Sequence, residues 1–338
     1  MPTHGTQQSV FIRGTGSYAP TKLVTNEDLS KVIDTTDEWI RTRTGILERR
    51  IAEPHEATSD IATRAAARAI VNAGLKPEDI DLVIVATITP DKACPSTACL
   101  VQGKLELRKV PCFDIEAACS GFIYALSIGS AMLKANGYKH ALVIGAEKLS
   151  SIVDWNDRTT CVLFGDGAGA AVLSKTDTPG TGLLDFILKA DGTDPLMLQI
   201  PAGGSACPAS TQSVAMGQHF LKMDGKEVFK FAVRAAEEIT SEILQKNGIK
   251  PEELAYIIPH QANFRIIDSL ADRLELPLDR FLMNLDRFGN TSSASIPLVL
   301  DEAVSKGKLK KGDKLLLVAF GAGLTWAASV LTWEGPER

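Results

Sequence analysis

Residues 110–137 read VPCFDIEAACSGFIYALSIGSAMLKANG. The first part, 110–118, is apolar and mostly extended in character and reads as a buried strand. From Ser120 onward Phe122, Ile123, Leu126, Gly129, Ala131, Met132 and Leu133 recur at helical spacing, which predicts a buried helix directly after the strand. Cys119 sits at the junction. A thiol at the first turn of a helix meets unpaired N–H groups and the positive end of the helix dipole, which favour thiolate. The plainer reading is a small core residue, since free cysteines are among the most buried residue types. The rest of the chain decides between the two.

The same alternation recurs outward from this stretch. Residues 80–87 (IDLVIVAT) and 140–145 (HALVIG) are uninterrupted apolar runs, the pattern of strands covered on both faces. Residues 59–73, closed by Gly74, and 96–105 predict helices. Residues 10–13 begin a short strand, and 26–32 predict a helix capped by Asn26. The glycines of GDGAGAAVL (165–173) alternate and run into a strand, unlike the G-x-G-x-x-G that opens a helix in dinucleotide sites. Alternating Gly and Ala in a strand means something bulky packs against its backbone, so nucleotide binding at this loop is rejected.

Beyond residue 178 the order partly restarts. A strand is expected at 183–188, then a long irregular segment, 191–216, of the kind that covers a site. An amphipathic helix follows at 226–247, ended by Gly248. Next come a strand at 256–259, a helix opened by His260, a helix at 291–305, and strands at 315–320 and 328–332. IDLVIVATITP matches AYIIPHQANF in place, and HALVIGAEK matches KLLLVAFGAG, by pattern rather than identity. An α/β architecture of two similar halves, 1–178 and 179–338, is expected.

Composition narrows the classes of function. The chain has 338 residues, 45% hydrophobic and 23% charged, with a net charge of −5. No general basic face for nucleic acid follows from that balance. The six cysteines include no pair at metal-site spacing, so no metal is expected. The first ten residues carry no basic-then-apolar signal, and no apolar run approaches the length of a membrane span. A reduced cytoplasmic setting is the expectation. Trp39 with Arg41 and Arg43 reads either as a surface ion-pair cluster or as a stacking and charge-pairing site for an anionic aromatic ligand.

Three polar residues end apolar strands or precede helices: Cys119 after DIEAA, His260 after YIIP, and Asn290 in RFGNTSSAS. Singly, each has a mundane reading as a core thiol, a turn histidine and a helix cap. Together they match one chemistry, a thiolate nucleophile with His and Asn as hydrogen-bond donors. The run Phe320-Gly321-Ala322-Gly323 could turn a backbone N–H toward a thioester oxygen.

From TTDEWIRTRTGI through EAACSGF, DRTTCVLFGDGAGAAVL, PHQANFRI and GNTSSASIP to FGAGLTW, the chain resembles the type III β-ketoacyl-acyl-carrier-protein synthases of the thiolase superfamily. The resemblance implies a thiolase-like five-layered αβαβα fold and a homodimer. It also implies condensation of an acyl-coenzyme A primer with malonyl-carrier protein, initiating fatty acid synthesis without a cofactor. By position, Cys119 is the acylated nucleophile and His260 with Asn290 the decarboxylation pair, with an oxyanion hole from the N–H groups of Cys119 and Ala322. Trp39 and Arg158 are expected to hold the coenzyme A adenine, Arg43 its phosphates and Asn263 its pantetheine. Phe164, Leu221, Met223 and Phe320 are expected to line the acyl and pantetheine path. Lys230 and Arg265 are expected to face the acidic carrier protein. Cys94, where some members have a bulky Phe, is expected to reach across the dimer to the floor of the partner's acyl tunnel, leaving room for primers longer than acetyl.

The chain departs from the family in three places. FGAG replaces the frequent FGGG, Asp272 and Arg273 stand where some members have two lysines, and Ala327 replaces a frequent Gly. Degradative thiolases need a second catalytic cysteine that FGAGLTW lacks, and elongating synthases use a second histidine where Asn290 stands. A coenzyme A-only type III polyketide synthase is the alternative within the superfamily. A non-catalytic partner subunit is the alternative outside enzymes, and the retained Cys119 argues against it.

Overall fold

The computed structural model describes residues 9–335; the expectation about a signal segment falls mostly on residues outside them. The apolar runs build two sheets. Strands β1 (Ser9–Tyr18), β2 (Leu82–Ala86), β3 (Cys112–Ile115), β4 (His140–Glu147) and β5 (Gly167–Thr176) form a five-stranded sheet of order β1-β5-β4-β2-β3. Strands β6 (Gly182–Ala190), β7 (Tyr256–Pro259), β8 (Lys314–Gly321) and β9 (Thr325–Thr332) form a four-stranded sheet of order β7-β8-β9-β6. In the first, β4 runs parallel to β2 and antiparallel to β5, which is antiparallel to β1. In the second, β8 runs parallel to β7 and antiparallel to β9, which is antiparallel to β6. The two strand orders correspond, with β3 as an addition at one edge.

Helices α1 (Asp37–Thr44), α2 (Thr58–Asn72), α3 (Thr97–Lys104), α4 (Gly121–Ala135), α5 (Gly225–Asn247), α6 (Phe264–Leu274) and α7 (Ser295–Ser305) complete the main framework. Alternation along the strands assigns the layers. Val143 and Leu82 face inward to pack with α4, α7 and inner residues of the second sheet such as Leu315 and Leu317. Leu142 and Val83 face outward onto α2 and α3, while Leu316 and Val318 face outward onto α5 and α6. The result is a five-layered αβαβα sandwich. All five residues of β2 are buried, each large side chain contributing about 1.5–3 kcal/mol relative to exposure.

Helix α4 lies in the middle layer, which explains why it is apolar nearly all round. Phe122, Ile123, Ala125, Leu126 and Leu133 have no exposed surface. By length and hydropathy alone residues 118–135 could cross a membrane, which corrects the expectation that no run reaches that length; burial between two sheets accounts for their composition. The alternating glycines of β5 behave as expected, since a Cβ on Gly169 would lie 2.6 Å from the Pro297 side chain of α7.

Several local expectations change. β3 has four residues, all only half-buried, because it is the outer strand of its sheet. β1 extends through Gly14 and Gly16, with a register shift between Ile12 and Gly14. The short helix Asn26–Ser30 is capped by Thr25, which accepts from the Asp28 N–H; Asn26 is instead buried, donating to Asp37 and to the Ile46 carbonyl. The 191–216 segment contains the short strand Leu198–Gln199 and the helical turn Thr211–Ala215.

Candidate active site

Cys119 lies in the 3-10 turn Ala118–Ser120 that leads into α4. Ala118 takes φ +44°, a conformation non-glycine residues rarely adopt and one that recurs at active sites. The turn is tied to the β8–β9 hairpin. Ser120 Oγ donates to the Thr325 carbonyl at 3.1 Å, and Thr325 Oγ1 donates to the Ala117 carbonyl at 2.9 Å. Gly321 must be glycine for this approach, since a Cβ there would stand 2.6 Å from the Cys119 nitrogen. Ala322 is not among the positive-φ residues, whereas Gly323 has φ +129°, so alanine fits the third position of FGAG without backbone strain.

The expected thiolate is not what the resting site favours. Burial pushes the Cys119 thiol up to about 12, against a hydrogen bond from Ser292 that lowers it and the nearby Glu147 charge that raises it further. Desolvation outweighs the helix terminus here.

His260 continues β7, its N–H donating to the Val318 carbonyl at 2.8 Å. It does not open a helix: α6 begins at Phe264, and Asn263 is its cap, accepting from the Arg265 N–H at 2.9 Å. Gln261 secures the intervening loop by accepting from the Asn284 and Leu285 N–H groups. The His260 ring is buried, with Nδ1 2.8 Å from Ser295 Oγ and the Phe320 ring edge-on at 5.4 Å. Burial pushes its pKa down to about 3, so the imidazole is neutral.

Asn290 is clamped by its backbone, donating to the Leu163 carbonyl at 2.8 Å and accepting from the Gly165 N–H at 3.0 Å, which brings Phe164 alongside. Its Oδ1 accepts from the Ser292 N–H at 2.8 Å, which leaves the Nδ2 hydrogens for the cavity. Cys119, His260, Asn290 and Ala322 all line one cavity of about 680 Å³, a size suited to a small-molecule substrate. Phe164, Leu221, Met223 and Phe320 line it too, as do Arg43, Asn263, Lys230 and Arg265.

Trp39 and Arg158 are not among the lining residues. The Arg43 and Arg158 guanidinium carbons lie 4.6 and 5.5 Å from the Trp39 ring centre, forming a cationic-aromatic cluster. Asn263 Nδ2 donates to the Arg43 carbonyl at 3.0 Å, joining that cluster to the cavity. Arg41 belongs to a surface ion pair with Asp37. Lys230 is exposed and paired with Glu227 at 2.7 Å, and Arg265 stacks 5.3 Å from Phe229. Arg273 pairs with Glu237. Cys94 is exposed and lines a second cavity of about 820 Å³, which shares the walls Ile88, Leu198, Leu221 and Ala322 with the first. The 191–216 segment supplies Leu198 to both, so it does cover a site.

Sequence reading missed Glu147, Ser292, Ser295 and Lys226. Only Lys226 carried a visible signal, lying four residues before Lys230 on the same helix.

Comparison with known proteins bears on this arrangement. The family model described as 3-oxoacyl-[acyl-carrier-protein (ACP)] synthase III matches residues 113–192, and its C-terminal counterpart matches residues 244–333. The chain is 55% identical over 323 residues to the beta-ketoacyl-[acyl-carrier-protein] synthase III of Caldanaerobacter subterraneus subsp. tengcongensis, covering 96% of this chain and 97% of the relative. It is 50% identical to the same enzyme of Fusobacterium nucleatum, covering 96% and 99%. Among solved structures, 3-oxoacyl-[acyl-carrier-protein] synthase III of Aquifex aeolicus superposes with a TM-score of 0.88 at 49% identity, covering 96% and 100%.

Proposed function

The chain belongs to the β-ketoacyl-acyl-carrier-protein synthase III family, and from that premise we propose that Cys119 takes the acyl group of a coenzyme A thioester while His260 and Asn290 serve the condensation that follows. The enzyme is an acyltransferase. It joins an acyl-coenzyme A primer to malonyl-carrier protein with loss of carbon dioxide, releasing coenzyme A and forming 3-oxoacyl-carrier protein, the opening step of fatty acid assembly. The observation that carries the division of labour is the convergence of these three residues on one cavity, His260 and Asn290 each held by a hydrogen bond of its own side chain and Cys119 by the turn that Ser120 and Thr325 tie down.

In the first half-reaction the Cys119 sulfur attacks the primer thioester. The N–H groups of Cys119 and Ala322 stabilise the oxyanion, and coenzyme A leaves. In the second, the malonyl thioester oxygen accepts hydrogen bonds from neutral His260 and from Asn290 Nδ2. Carbon dioxide departs, the resulting enolate is held by those donors, and its carbon attacks the acyl-cysteine. The scheme runs on two thioester substrates and calls for no cofactor. Trp39 and Arg158 hold the adenine, Arg43 the phosphates and Asn263 the pantetheine, while Phe164, Leu221, Met223 and Phe320 line the path inward. Intact-mass measurement after incubation with a panel of acyl-coenzyme A esters tests this reading; no acyl adduct on Cys119 with any primer would sink it.

Residues 1–178 and 179–338 are taken as two halves, the first supplying Cys119 and the second His260 and Asn290; the matching strand orders support this. A homodimer is supported by the open outer edge of β3 and by Leu196 and Ile200, exposed at 69% and 36%. Free cysteines fit a reducing cytoplasm.

Lys230 and Arg265 at the mouth make the carrier-docking face, with Lys226 beside them. Charge reversal by Arg265→Glu or Lys230→Glu should raise KM for malonyl-carrier protein about tenfold at low salt, shrinking as ions screen the contact. KM for acyl-coenzyme A should move far less. Equal losses for both substrates, or no salt dependence, would remove these residues from the docking face.

Cys94 sets primer length from the partner subunit. Its exposure and its place on the adjoining cavity support a role that only a second copy completes. One methylene in an apolar pocket shifts discrimination by about 1–3 kcal/mol, and Cys94→Phe adds a whole ring. That variant should lose kcat/KM for longer primers and keep it for acetyl-coenzyme A. An unchanged chain-length profile would mean that Leu221 or the 191–216 segment closes the tunnel instead.

A further inference from the structure

Ser295 opens α7, and its Oγ lies 2.8 Å from His260 Nδ1 in the buried interior. The turn before it sets that position. Ser292–Ala294 forms a 3-10 turn that the Ser295 N–H closes on the Ser292 carbonyl, with Ser292 at φ +48°. Glu147, buried at the end of β4, ties the turn down: its Oε1 lies 2.9 Å from Ser293 Oγ and 3.1 Å from Ser292 Oγ. Its Oε2 accepts from Thr89 Oγ1 at 2.6 Å, from Thr87 Oγ1 at 3.1 Å and from the Ile88 N–H at 3.1 Å, as a buried carboxylate requires. The same turn holds Asn290 Oδ1 through the Ser292 N–H. Residues 290–295 therefore touch both donors of the condensation.

A neutral imidazole has one N–H and one acceptor nitrogen, so two arrangements fit the 2.8 Å contact. If Nδ1 carried the hydrogen, Ser295 Oγ would accept it, and the serine's own hydrogen would need a further acceptor. Among the described residues the Ser295 side chain has no hydrogen-bond partner besides Nδ1. A buried hydroxyl hydrogen left unpaired is costly. The hydroxyl therefore donates, Nδ1 accepts, and the ring hydrogen sits on Nε2. Among the described residues Nε2 has no partner, and it is not one of the unpaired atoms sealed from solvent, so its hydrogen faces the cavity that His260 lines.

We propose that Ser295 is a positioning residue for the condensation: its hydroxyl fixes the His260 hydrogen on Nε2 and so presents the malonyl thioester oxygen with a donor rather than a lone pair. The opposite tautomer would aim an acceptor at an oxygen that gains negative charge as carbon dioxide leaves, and would repel it. One short turn thus aims both hydrogens, Asn290 through the Ser292 N–H and His260 through the Ser295 hydroxyl.

The choice of a hydroxyl, not a carboxylate, matters to what His260 can do. A carboxylate on Nδ1 stabilises the imidazolium and suits the ring to proton transfer, whereas a serine brings no counter-charge. The other titratable groups on the cavity are Cys119, Arg43, Lys226, Lys230 and Arg265. None of them moves the ring, which desolvation alone holds well below its ordinary pKa. His260 therefore keeps its hydrogen through the reaction and acts as a fixed donor.

The proposal rests on His260 serving the malonyl half-reaction. Nitrogen NMR of the wild-type protein labelled with 15N-histidine reads the tautomer directly, the His260 signals being those that His260→Ala removes. A bare nitrogen at Nδ1 and a protonated one at Nε2 are expected; the reverse overturns the proposal. Ser295→Ala should lower kcat for malonyl-carrier decarboxylation about tenfold, the effect of losing one neutral hydrogen bond, with KM little changed. Acylation by acetyl-coenzyme A, read by intact mass, should stay at the wild-type rate. In a His260→Ala background Ser295→Ala should cost nothing further, because it acts through the ring. Ser295→Thr, which keeps the hydroxyl, should recover part of the rate. Wild-type decarboxylation in folded Ser295→Ala overturns the proposal. So does an undiminished loss in the His260→Ala background, or an equal loss of acylation, since a merely structural serine would behave that way. Should Ser295→Ala fail to fold by thermal melt, the wild-type spectrum decides. Undiminished condensation in His260→Ala would instead overturn the proposed function, whatever the tautomer, so the two failures are distinguishable.

Discussion

Cys119→Ser should give a folded protein that gains no acyl mass from acyl-coenzyme A, with acyl transfer reduced about 10³-fold or more. Serine is nearly isosteric with cysteine, and the turn carrying it is held by backbone and Thr325 contacts that do not involve the sulfur. What changes is nucleophilicity. A hydroxyl without a strong base beside it is a poor nucleophile at neutral pH. The burial that raises the thiol to about 12 disfavours an alkoxide still more. Malonyl decarboxylation should persist, because His260 and Asn290 keep their anchors. Intact mass and carbon dioxide release measure the two halves separately. Stoichiometric acetyl on the serine variant would count against the nucleophile assignment.

The layers were legible because periodicity and burial coincide: β2 and α4 announce themselves by apolar runs whose length and spacing leave few alternatives. Cys119, His260 and Asn290 were legible as candidates because each interrupts such a pattern at its end. The state of the site was not legible. The thiol's environment depends on Ser292, Glu147 and Gly321, which lie 173, 28 and 202 positions away in the chain, and no local signal reports desolvation. Glu147 was invisible for a related reason: a carboxylate closing HALVIGAE reads as the polar end of a strand. Only the threonines after β2 and the serines before α7 show that it is buried and satisfied. Likewise Asn26 looked like a cap because Thr25, the actual cap, precedes an equally suitable residue, and tertiary contacts with Asp37 and Ile46 decided between them.

His260→Ala and Asn290→Ala should each acylate at near the wild-type rate and then stall, accumulating acyl-enzyme while condensation falls about 10²–10³-fold. The two donors act on the malonyl thioester oxygen, where charge develops as carbon dioxide leaves, and neither is needed to hold the primer. The form of His260 sharpens the test. Its pKa near 3 lies below the ordinary 6.5, so between about pH 5 and 8 it is a neutral N–H donor and decarboxylation should show no inflection from its titration. The same shift has a stability consequence with a definite sign. Between pH about 6.5 and about 3 the unfolded chain binds a proton at His260 that the native chain does not, so stability falls as pH drops through that window. His260→Ala removes this contribution, and its stability should depend less on pH there than that of the parent, as read from melting temperatures at several pH values. Failure of either variant to gain the acyl mass would mean that these residues also serve the first half-reaction, and the separation of donors from nucleophile would have to be abandoned.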